Sequence, residues 1–535
     1  MKAPPTGERS FPLFFWIGAA VFVASILWLN FNGAQWYHFD MYADVQVALR
    51  MAEQNTLFPA NWVFGNQYYV IATPAVAALF CKLCGDGMLS MSLASSLMTL
   101  LILGAFLWCC APFYSRRSLA VGLFCLSGAV ILGNSASSCT TGLQLLYTMA
   151  SYYACYLLGI LFHLGLYLRL RTGKKVHPLL WVLALGMDLA LGMQSPRETV
   201  VLNLPLLLLE IYAVLSLGKN KKSGAFVLAA FAANLAGLGL IRLLPVHSSV
   251  IYAPPAFDLR IPSLLSNLKG TAGALLGMMG IPYLNQGWKW KVLGLLALFF
   301  CAAVLAALIL LLRRREKGPR GLLPLFCGLS ILSVFGVGVL LFRVRDIYFF
   351  VWILLVCVCF MSLSELLPEG RLRALLLTAL LLAGLASYVY EFYPDFKKYP
   401  EQKRFYAQAV QLLEEQGVDR IYVDFITYPT VAACSGGRID AGTFWYAFDA
   451  EDGALLTPVP HLKPLDLFET IQPERSMIVL SDSAFGDLSS LDYVRLLGPE
   501  GYAEALMARL EPAGVLDDEY QTLYFYRFED PELIR

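Results

Sequence analysis

The stretch Trp36-Tyr37-His38-Phe39-Asp40-Met41-Tyr42-Ala43-Asp44 comes shortly after an apolar run at 11–32. An apolar run of about 20 residues is long enough to cross a bilayer as a helix. The stretch therefore places two carboxylates, Asp40 and Asp44, where a membrane helix would reach the surface. Their i, i+4 spacing puts both side chains on one face if the stretch is helical.

The composition predicts a polytopic α-helical membrane protein. Of the 535 residues, 58% are hydrophobic and only 15% are charged, and the mean hydropathy is +0.62. Ordinary soluble domains carry about 25% charged residues. The net charge of +1 gives no general case for a nucleic-acid partner. We interpret the first apolar run as a retained helix, because it is longer than a signal-peptide core and lacks a small-residue cleavage site.

Eleven apolar segments are candidates for membrane spans: 11–32, 88–112, 118–135, 145–168, 177–194, 198–217, 223–244, 291–312, 321–342, 347–367 and 372–392. If all eleven cross, the basic loop residues all fall on one side: Lys2, Arg9, Arg116, Arg117, Arg169, Arg171, Lys174, Lys175, Lys219, Lys221, Lys222, Arg313, Arg314, Arg315, Lys317, Arg320, Arg371 and Arg373. The positive-inside rule makes that side cytoplasmic. We therefore expect a plasma-membrane protein with a cytoplasmic N-terminus.

This topology leaves three notable segments on the extracytoplasmic side. The loop 33–87 contains a pattern at 41–55 that suits a helix lying in the membrane interface. The loop 245–290 is rich in aromatic residues and proline, which is typical of a lid or a substrate-contacting loop. The tail, 393–535, is more polar, so we divide the chain into a transmembrane domain, 1–392, and a soluble domain, 393–535.

The tail has the pattern of a small α/β domain. Strand patterns at 420–424, 476–480 and 522–527 alternate with helix patterns at 401–416, 427–435 and 499–511. The tail contains no G-x-G-x-x-G or Walker sequence, so we predict no nucleotide site there.

Asp40 and Asp44 have two interpretations. Asp40 could cap a helix that begins at Met41, with Asp44 on its water-facing side. Alternatively, a substrate donor group or a cation could offset the pair, and one carboxylate could then act as a general base. The spacing alone leaves both open.

Other ionisable residues lie at the outer ends of predicted spans. Arg197 and Glu198 lie in one tight turn, and Arg343, Arg345 and Asp346 lie in another, just before Tyr348. Outer-side arginines run against the positive-inside bias and are suited to gripping a phosphate. The alternative is that they reach out to lipid headgroups.

Two histidines complete the candidate site residues. His38 and His247 could ligate a metal, relay a proton or bind substrate, although a lone histidine more often has no such role. Cys81 and Cys84 have C-x-x-C spacing but no second pair, so we predict no metal site there.

Several patches resemble the GT-C class of glycosyltransferases, which are integral membrane enzymes that use polyprenyl-phosphate-linked sugars. The resemblance is to uncharacterised bacterial members. It rests on the stretch from Asp40 through Ala52-Glu53-Gln54-Asn55-Thr56-Leu57 to Asn61-Trp62, on Arg197, on Arg345-Asp346-Ile347-Tyr348-Phe349, and on Gly417-Val418-Asp419-Arg420-Ile421-Tyr422 and Ser435-Gly436-Gly437-Arg438-Ile439 in the tail.

The resemblance implies a mechanism and a set of partners. Asp40 would be the general base on the acceptor hydroxyl, with Asp44 as its acidic partner, and Arg197, Arg343 and Arg345 would bind the donor phosphate. The acceptor would be an envelope glycan, lipid or protein. Asp40 is not followed directly by a second acid, which departs from the commonest pattern of the class. The outer loop 134–140 also carries no acid, so no cofactor is expected and a divalent cation is not favoured.

Two other classes of function remain open on the sequence. The first is a transporter or flippase for a lipid-linked or small substrate, although the span interiors are nearly free of charge and Asp188 is the main exception. The second is a non-enzymatic membrane scaffold whose outer domain binds a partner.

Overall fold

The chain is described here by a computed structural model. It covers residues 11–32, 39–65, 67–130, 142–148, 152–248, 259–341, 344–424, 430–449, 453–459, 461–481, 494–495, 498–518 and 521–535. His38 and Arg343 lie outside the described residues. The side chain of Asp40 also lies outside them, although its backbone is part of a helix.

Helices make up most of the first 392 residues. They are α1 (Phe11–Asn32), α2 (Phe39–Gln54), α3 (Thr73–Cys84), α4 (Gly87–Cys110), α5 (Arg116–Phe124), α6 (Gly142–Leu146), α7 (Ala154–Arg171), α8 (Pro178–Gln194), α9 (Leu204–Leu217), α10 (Lys221–Leu240), α11 (Ile261–Met278), α12 (Trp288–Arg313), α13 (Pro319–Leu340), α14 (Val351–Leu366) and α15 (Arg371–Ser387). Within the described ranges, nine helical segments are long and apolar enough to cross a membrane.

The nine segments coincide with nine of the eleven predicted spans. The segment predicted at 177–194 is also an apolar helix, α8, but has only 17 residues. The segment predicted at 118–135 is formed by α5 and a π-helical turn, Cys125–Ala129, after which the described residues stop at 130. The fold is therefore that of a polytopic helical membrane protein.

Basic residues from the first turns of separate helices meet at one end of the bundle, which we call the basic pole. Arg320 lies 2.8 Å from Glu365, and Glu369 lies 3.9 Å from Arg117 and 3.8 Å from Arg373. These ion pairs join the first turns of α5, α13 and α15 to the end of α14 and the loop that follows it. The opposite end contains the start of α2 and the end of α8.

The segment predicted as an interfacial helix forms α2, which is packed against other parts of the protein. Its position relative to a membrane remains a prediction. Residues 42–48 are all buried, because α3 packs on one side of α2 and the α/β domain packs on another. Gln46 donates a hydrogen bond to the carbonyl of Ala441 at 3.3 Å. The helix begins at Phe39, so Asp40 lies in its first turn, and Asp44 is fully buried. The interpretation with Asp44 on a water-facing side is therefore wrong.

The second outer loop is largely helical. Residues 261–278, within the segment predicted as a lid, form the 18-residue helix α11. It packs along α13, where Asn267 donates to the carbonyl of Val339 at 3.3 Å. Thr271 lies against Gly338, where a larger residue would clash with the threonine hydroxyl group. A proline near the start and apolar residues at helical spacing explain why this stretch is a helix.

The tail forms a mixed α/β domain. Its helices are α16 (Tyr393–Glu415), α17 (Thr430–Cys434), α18 (Asp466–Glu469) and α19 (Tyr502–Met507), and its six-stranded sheet has the order β5-β4-β3-β7-β9-β8. The strands are β3 (Arg420–Asp424), β4 (Asp440–Tyr446), β5 (Leu456–Pro458), β7 (Ser476–Ser481), β8 (Glu511–Asp517) and β9 (Thr522–Arg527). The central strand β3 pairs in parallel with β4 and β7 and is buried over 421–424, as expected of a strand covered on both faces.

A second, three-stranded sheet ties distant parts of the chain together. Strand β1 (Trp62–Phe64) lies between β2 (His247–Ser248) and β6 (Lys463–Pro464). These strands come from the first outer loop, the second outer loop and the tail. The α/β domain is thus bound by backbone hydrogen bonds to the membrane part.

Candidate functional site

Arg197 lies at the turn between α8 and the next helical segment, between two tyrosine rings. Its guanidinium carbon is 5.7 Å from the ring centre of Tyr153 and 5.4 Å from that of Tyr348. Its Nη1 donates a 2.7 Å hydrogen bond to the side-chain oxygen of Gln67. The two rings supply cation–π contacts, and the glutamine fixes the direction of the guanidinium.

The first outer loop is attached beside this arginine by Gln194, the last residue of α8. The backbone N–H groups of Val70 and Ile71 donate to its side-chain oxygen at 3.3 and 3.4 Å. The N–H of Tyr68 donates to its backbone carbonyl at 3.0 Å. These bonds hold the loop across the end of α8, and Gln67 in that loop then reaches Arg197.

A proline shapes the segment that follows Arg197. Residues Thr199–Asn203 form a π-helical turn just before Pro205. Proline has no N–H, so the carbonyl of Val201, four residues earlier, loses its usual α-helical donor. The hydroxyl of Ser330 in α13 donates to that carbonyl at 2.7 Å instead. Irregular helix beside a functional residue is a frequent feature of membrane sites.

The turn that contains Arg345 meets the same aromatic pair. Tyr348 lies 6.3 Å from Tyr153 between ring centres, in an edge-on arrangement. Arg345 is exposed, and its backbone carbonyl accepts the N–H of Tyr348 at 3.2 Å. Asp346 is buried, and one of its carboxylate oxygens accepts the N–H of Ile347 at 3.0 Å. The structure therefore brings Arg197, Arg345 and Tyr348 together.

Glu198 faces a different part of the bundle. It is buried, and its Oε2 accepts a 2.9 Å hydrogen bond from Asn234 in α10. Asn234 also accepts the hydroxyl of Thr199 at 2.6 Å and donates to the carbonyl of Asp188 at 3.3 Å. The hydrogen bond of Glu198 thus joins the segment after α8 to α10, and Asn234 also joins α10 to α8.

Asp188, the charged residue inside a predicted span, has a local partner. Its Oδ2 lies 2.8 Å from Nε2 of His163, and its Oδ1 accepts Asn203 at 3.4 Å. The other ring nitrogen of His163 is 2.8 Å from the carbonyl of Gly159. All these side chains are buried, so the carboxylate is satisfied inside the helix bundle.

The two aspartates lie in α2, one helical turn apart. Helix α3 links α2 to the turn that contains Arg197. It packs against α2, and it follows directly on the loop that holds Gln67, the hydrogen-bond partner of Arg197. Asp44 is buried beside that packing. The assignments of Asp40 as the base and Asp44 as its partner remain predictions.

His247 lies in the small three-stranded sheet. It is exposed in strand β2, where it pairs with Val63 of β1. The strand pairing at His247 joins the second outer loop, 245–290, to the first, 33–87. A role for His247 in substrate binding remains a prediction.

Sequence reasoning missed Gln67, Tyr153, Tyr156 and Gln194 as parts of this site. The hydroxyl of Tyr156 donates to Gln67 at 3.4 Å and accepts from Gln194 at 3.2 Å. The tyrosines lie in a predicted span, where they are typical of an aromatic belt. Of these four residues, only Gln194 could have been suggested by the sequence, because it lies three residues before Arg197.

Among the described residues, no group of three or more His, Cys, Asp or Glu side chains could hold a metal ion. Arg197, Tyr153, Tyr348 and Gln67 form a cluster of a cation, two aromatic rings and an amide side chain. Such a cluster favours an anionic ligand with a group that can stack. No protein-family model and no curated protein sequence matches the chain.

Proposed function

We propose that this chain is a glycosyltransferase of the plasma membrane. It would move a sugar from a polyprenyl-phosphate donor to an extracytoplasmic glycan, lipid or protein acceptor. The proposal extends the GT-C resemblance of the sequence, and the contacts of Arg197 give it a physical basis.

The observation that carries the proposal is the environment of Arg197. Its side chain is largely withdrawn from the surface, yet within the described part of the chain its partners are an amide and two tyrosine rings rather than a carboxylate. A withdrawn cation without a counterion is costly. An anionic ligand would remove that cost, and a planar guanidinium fits a phosphate through paired hydrogen bonds.

Transfer by this site requires one bond to form and one to break. Asp40 takes the proton from the acceptor hydroxyl group, and the resulting oxygen attacks the anomeric carbon of the sugar. The bond between that carbon and the phosphate oxygen breaks, so the lipid phosphate leaves with the bonding electrons. Arg197 and Arg345 then stabilise the negative charge that develops on the phosphate.

A second candidate is a transporter of a lipid-linked substrate, and one observation favours it. His163 and Asp188 form a buried titratable pair within the helix bundle, and such pairs occur in proton-driven transporters. The extra hydrogen bond from Asn203 to Asp188 is equally suited to holding the helices together. Asn234 bonds both Glu198 and the Asp188 backbone, which favours the structural role.

The test is sugar transfer in proteoliposomes from a panel of radiolabelled polyprenyl-phosphate sugars. We expect transfer from at least one donor, and a decrease of about 10²- to 10⁴-fold for Asp40→Asn, the range for loss of a general base. The matched control is Asp86→Asn, because Asp86 caps α4 through the N–H of Leu89 and has no assigned catalytic role. Unchanged transfer by Asp40→Asn would remove Asp40 from the mechanism, and no transfer from any donor would favour the transporter.

A further inference from the structure

A cavity of about 330 Å³ opens at the basic pole, at the other end of the bundle from the turn that contains Arg197. Its walls come from the end of α7, the loop between α9 and α10, and the start of α13. Among the lining residues are Arg171, Lys219, Asn220, Lys317 and Pro319. Nothing in the proposed transfer reaction uses this cavity.

The loop that forms one wall is fixed in place. Arg171 donates to the carbonyl of Ala213 at 2.7 Å and to that of Gly218, and it lies 3.4 Å from Glu210. Asn220 donates to the carbonyls of Leu170 and Arg171 at 3.2 and 3.3 Å. Gly218 has φ of +87°, which favours glycine at this turn. The cavity is therefore a formed feature of the fold.

Two lysines supply charge to the cavity without acidic partners. Lys219 and Lys317 are exposed, and the described residues contain no carboxylate in an ion pair with either. The charge of Arg171 is already matched by Glu210, and Glu316 lies at the rim beside Gly318. Helices α10 and α13 also begin at the cavity. The positive ends of their dipoles therefore add to the positive potential inside it.

An apolar groove of about 290 Å³ continues from the cavity along α9 and α10. The groove and the cavity share Lys219 and Asn220. Leu207, Val214 and Val227 line the groove, together with Leu228, on helices that are candidates for membrane spans. A polar, cationic cavity thus joins an apolar groove on the membrane-facing part of the bundle.

We propose that this joined cavity and groove binds an anionic phospholipid. The phosphate headgroup lies between Lys219 and Lys317, and an acyl chain lies in the groove between α9 and α10. A basic pocket between membrane helices at the cytoplasmic side is the usual setting for such headgroups. Free phosphate would use the lysines but would leave the groove unfilled, so the groove distinguishes a lipid from a soluble anion.

The test measures lipid binding to the full chain by native mass spectrometry and by the shift in unfolding temperature in neutral detergent. The probes are phosphatidylglycerol, phosphatidylcholine and inorganic phosphate. We expect phosphatidylglycerol to bind and to raise the unfolding temperature, while the other two do neither. In Lys219→Ala/Lys317→Ala the affinity for phosphatidylglycerol should fall about 30-fold, corresponding to about 1 kcal/mol for each lysine.

The control is Lys175→Ala/Arg313→Ala, which removes two exposed charges from the same pole outside the cavity. It should leave lipid affinity within about twofold. A third variant, Val214→Trp, fills the groove and should weaken phosphatidylglycerol without changing any charge. Equal losses in the two double variants would mean non-specific surface attraction and would overturn the proposal. Equal stabilisation by inorganic phosphate, or no binding of phosphatidylglycerol to the wild type, would overturn it as well.

Discussion

At the scale of single residues, the most informative side chain is Arg197. Tyr153, Tyr348 and Gln67 orient its guanidinium. The sequence pointed to Arg197 because an arginine on the predicted outer side runs against the usual charge bias. It could not point to Gln67 or Tyr153, because their relation to Arg197 depends on how the first outer loop crosses the end of α8.

We predict that Arg197→Gln raises the KM for the polyprenyl-phosphate donor about 10- to 100-fold. The reason is the loss of charge-assisted hydrogen bonds, worth roughly 1.5–3 kcal/mol. Steady-state kinetics in proteoliposomes would measure it. The control is Arg242→Gln, an exposed arginine just after α10, which should change KM less than about twofold. A similar rise in both variants would contradict a specific phosphate contact.

At the scale of elements, the pairing of α8 with α10 shows how the helices pack. A methyl group on Gly237 would come within 2.2 Å of the Leu189 carbonyl, and one on Gly192 within 2.2 Å of the Asn234 carbonyl. These glycines let two backbones approach closely, which is a common way for membrane helices to associate. The same contact positions Asn234 for its bonds to Glu198 and to the Asp188 backbone.

Gly237→Ala should therefore lower the free energy of unfolding by about 1–3 kcal/mol, the usual cost of overpacking a close contact. Gly239→Ala is the matched control, because a methyl group there would meet nothing within 4 Å. Thermal unfolding of both variants in one detergent would compare them. Equal unfolding temperatures would mean that the helices do not approach this closely.

Elements with a strong local pattern could be predicted from the sequence, and those set by tertiary packing could not. Strand β3 at 420–424 and strand β9 at 522–527 have the predicted bounds. The burial of α2 was missed, because its mixture of apolar and polar residues fits an interface with a protein domain as well as one with a membrane. Strand β4 was also missed, since its pairing with β3 links residues about 20 positions apart.

At the scale of the whole molecule, the α/β domain is clamped onto α2. Arg50 of α2 lies 3.2 Å from Asp440 and 3.1 Å from Asp466 of the domain. Strand β6 of the domain pairs with β1, and the N–H of Leu465 donates to the carbonyl of Asn61 at 2.8 Å. Because α2 carries Asp40 and Asp44, the domain covers the element that carries the proposed base.

Arg50→Ala should loosen this contact, since it leaves two neighbouring carboxylates without their shared cation. Hydrogen exchange of the backbone amides of residues 42–54 should increase in the variant. The control is Arg438→Ala, because Arg438 pairs with Glu414 in an exposed contact inside the domain and such pairs contribute little. Unchanged exchange in Arg50→Ala would show that the pairing of β6 with β1 holds the domain without the ion pairs of Arg50.

The contact of Arg50 with Asp440 and Asp466 should also depend on pH. Burial raises the pKa of the Asp440 carboxyl above its ordinary value, Arg50 opposes that shift and Asp466 adds to it. A carboxyl with a raised pKa binds its proton more tightly in the docked state, so its contribution is fully present below its ordinary pKa of 3.8. That contribution is lost as the pH rises through the raised pKa. Asp440→Asn should flatten this part of the pH dependence of exchange, whereas an unchanged profile would assign it to another group.

The central claim is that the chain breaks the bond between a sugar and a lipid phosphate. The most direct measurement is mass spectrometry of the polyprenyl phosphate released in proteoliposomes, together with the fraction of donor that crosses the bilayer. We expect the wild type to release lipid phosphate in step with sugar transferred to the acceptor, and Asp40→Asn to release almost none. Intact donor that crosses the bilayer without release of lipid phosphate would contradict the claim and identify a transporter.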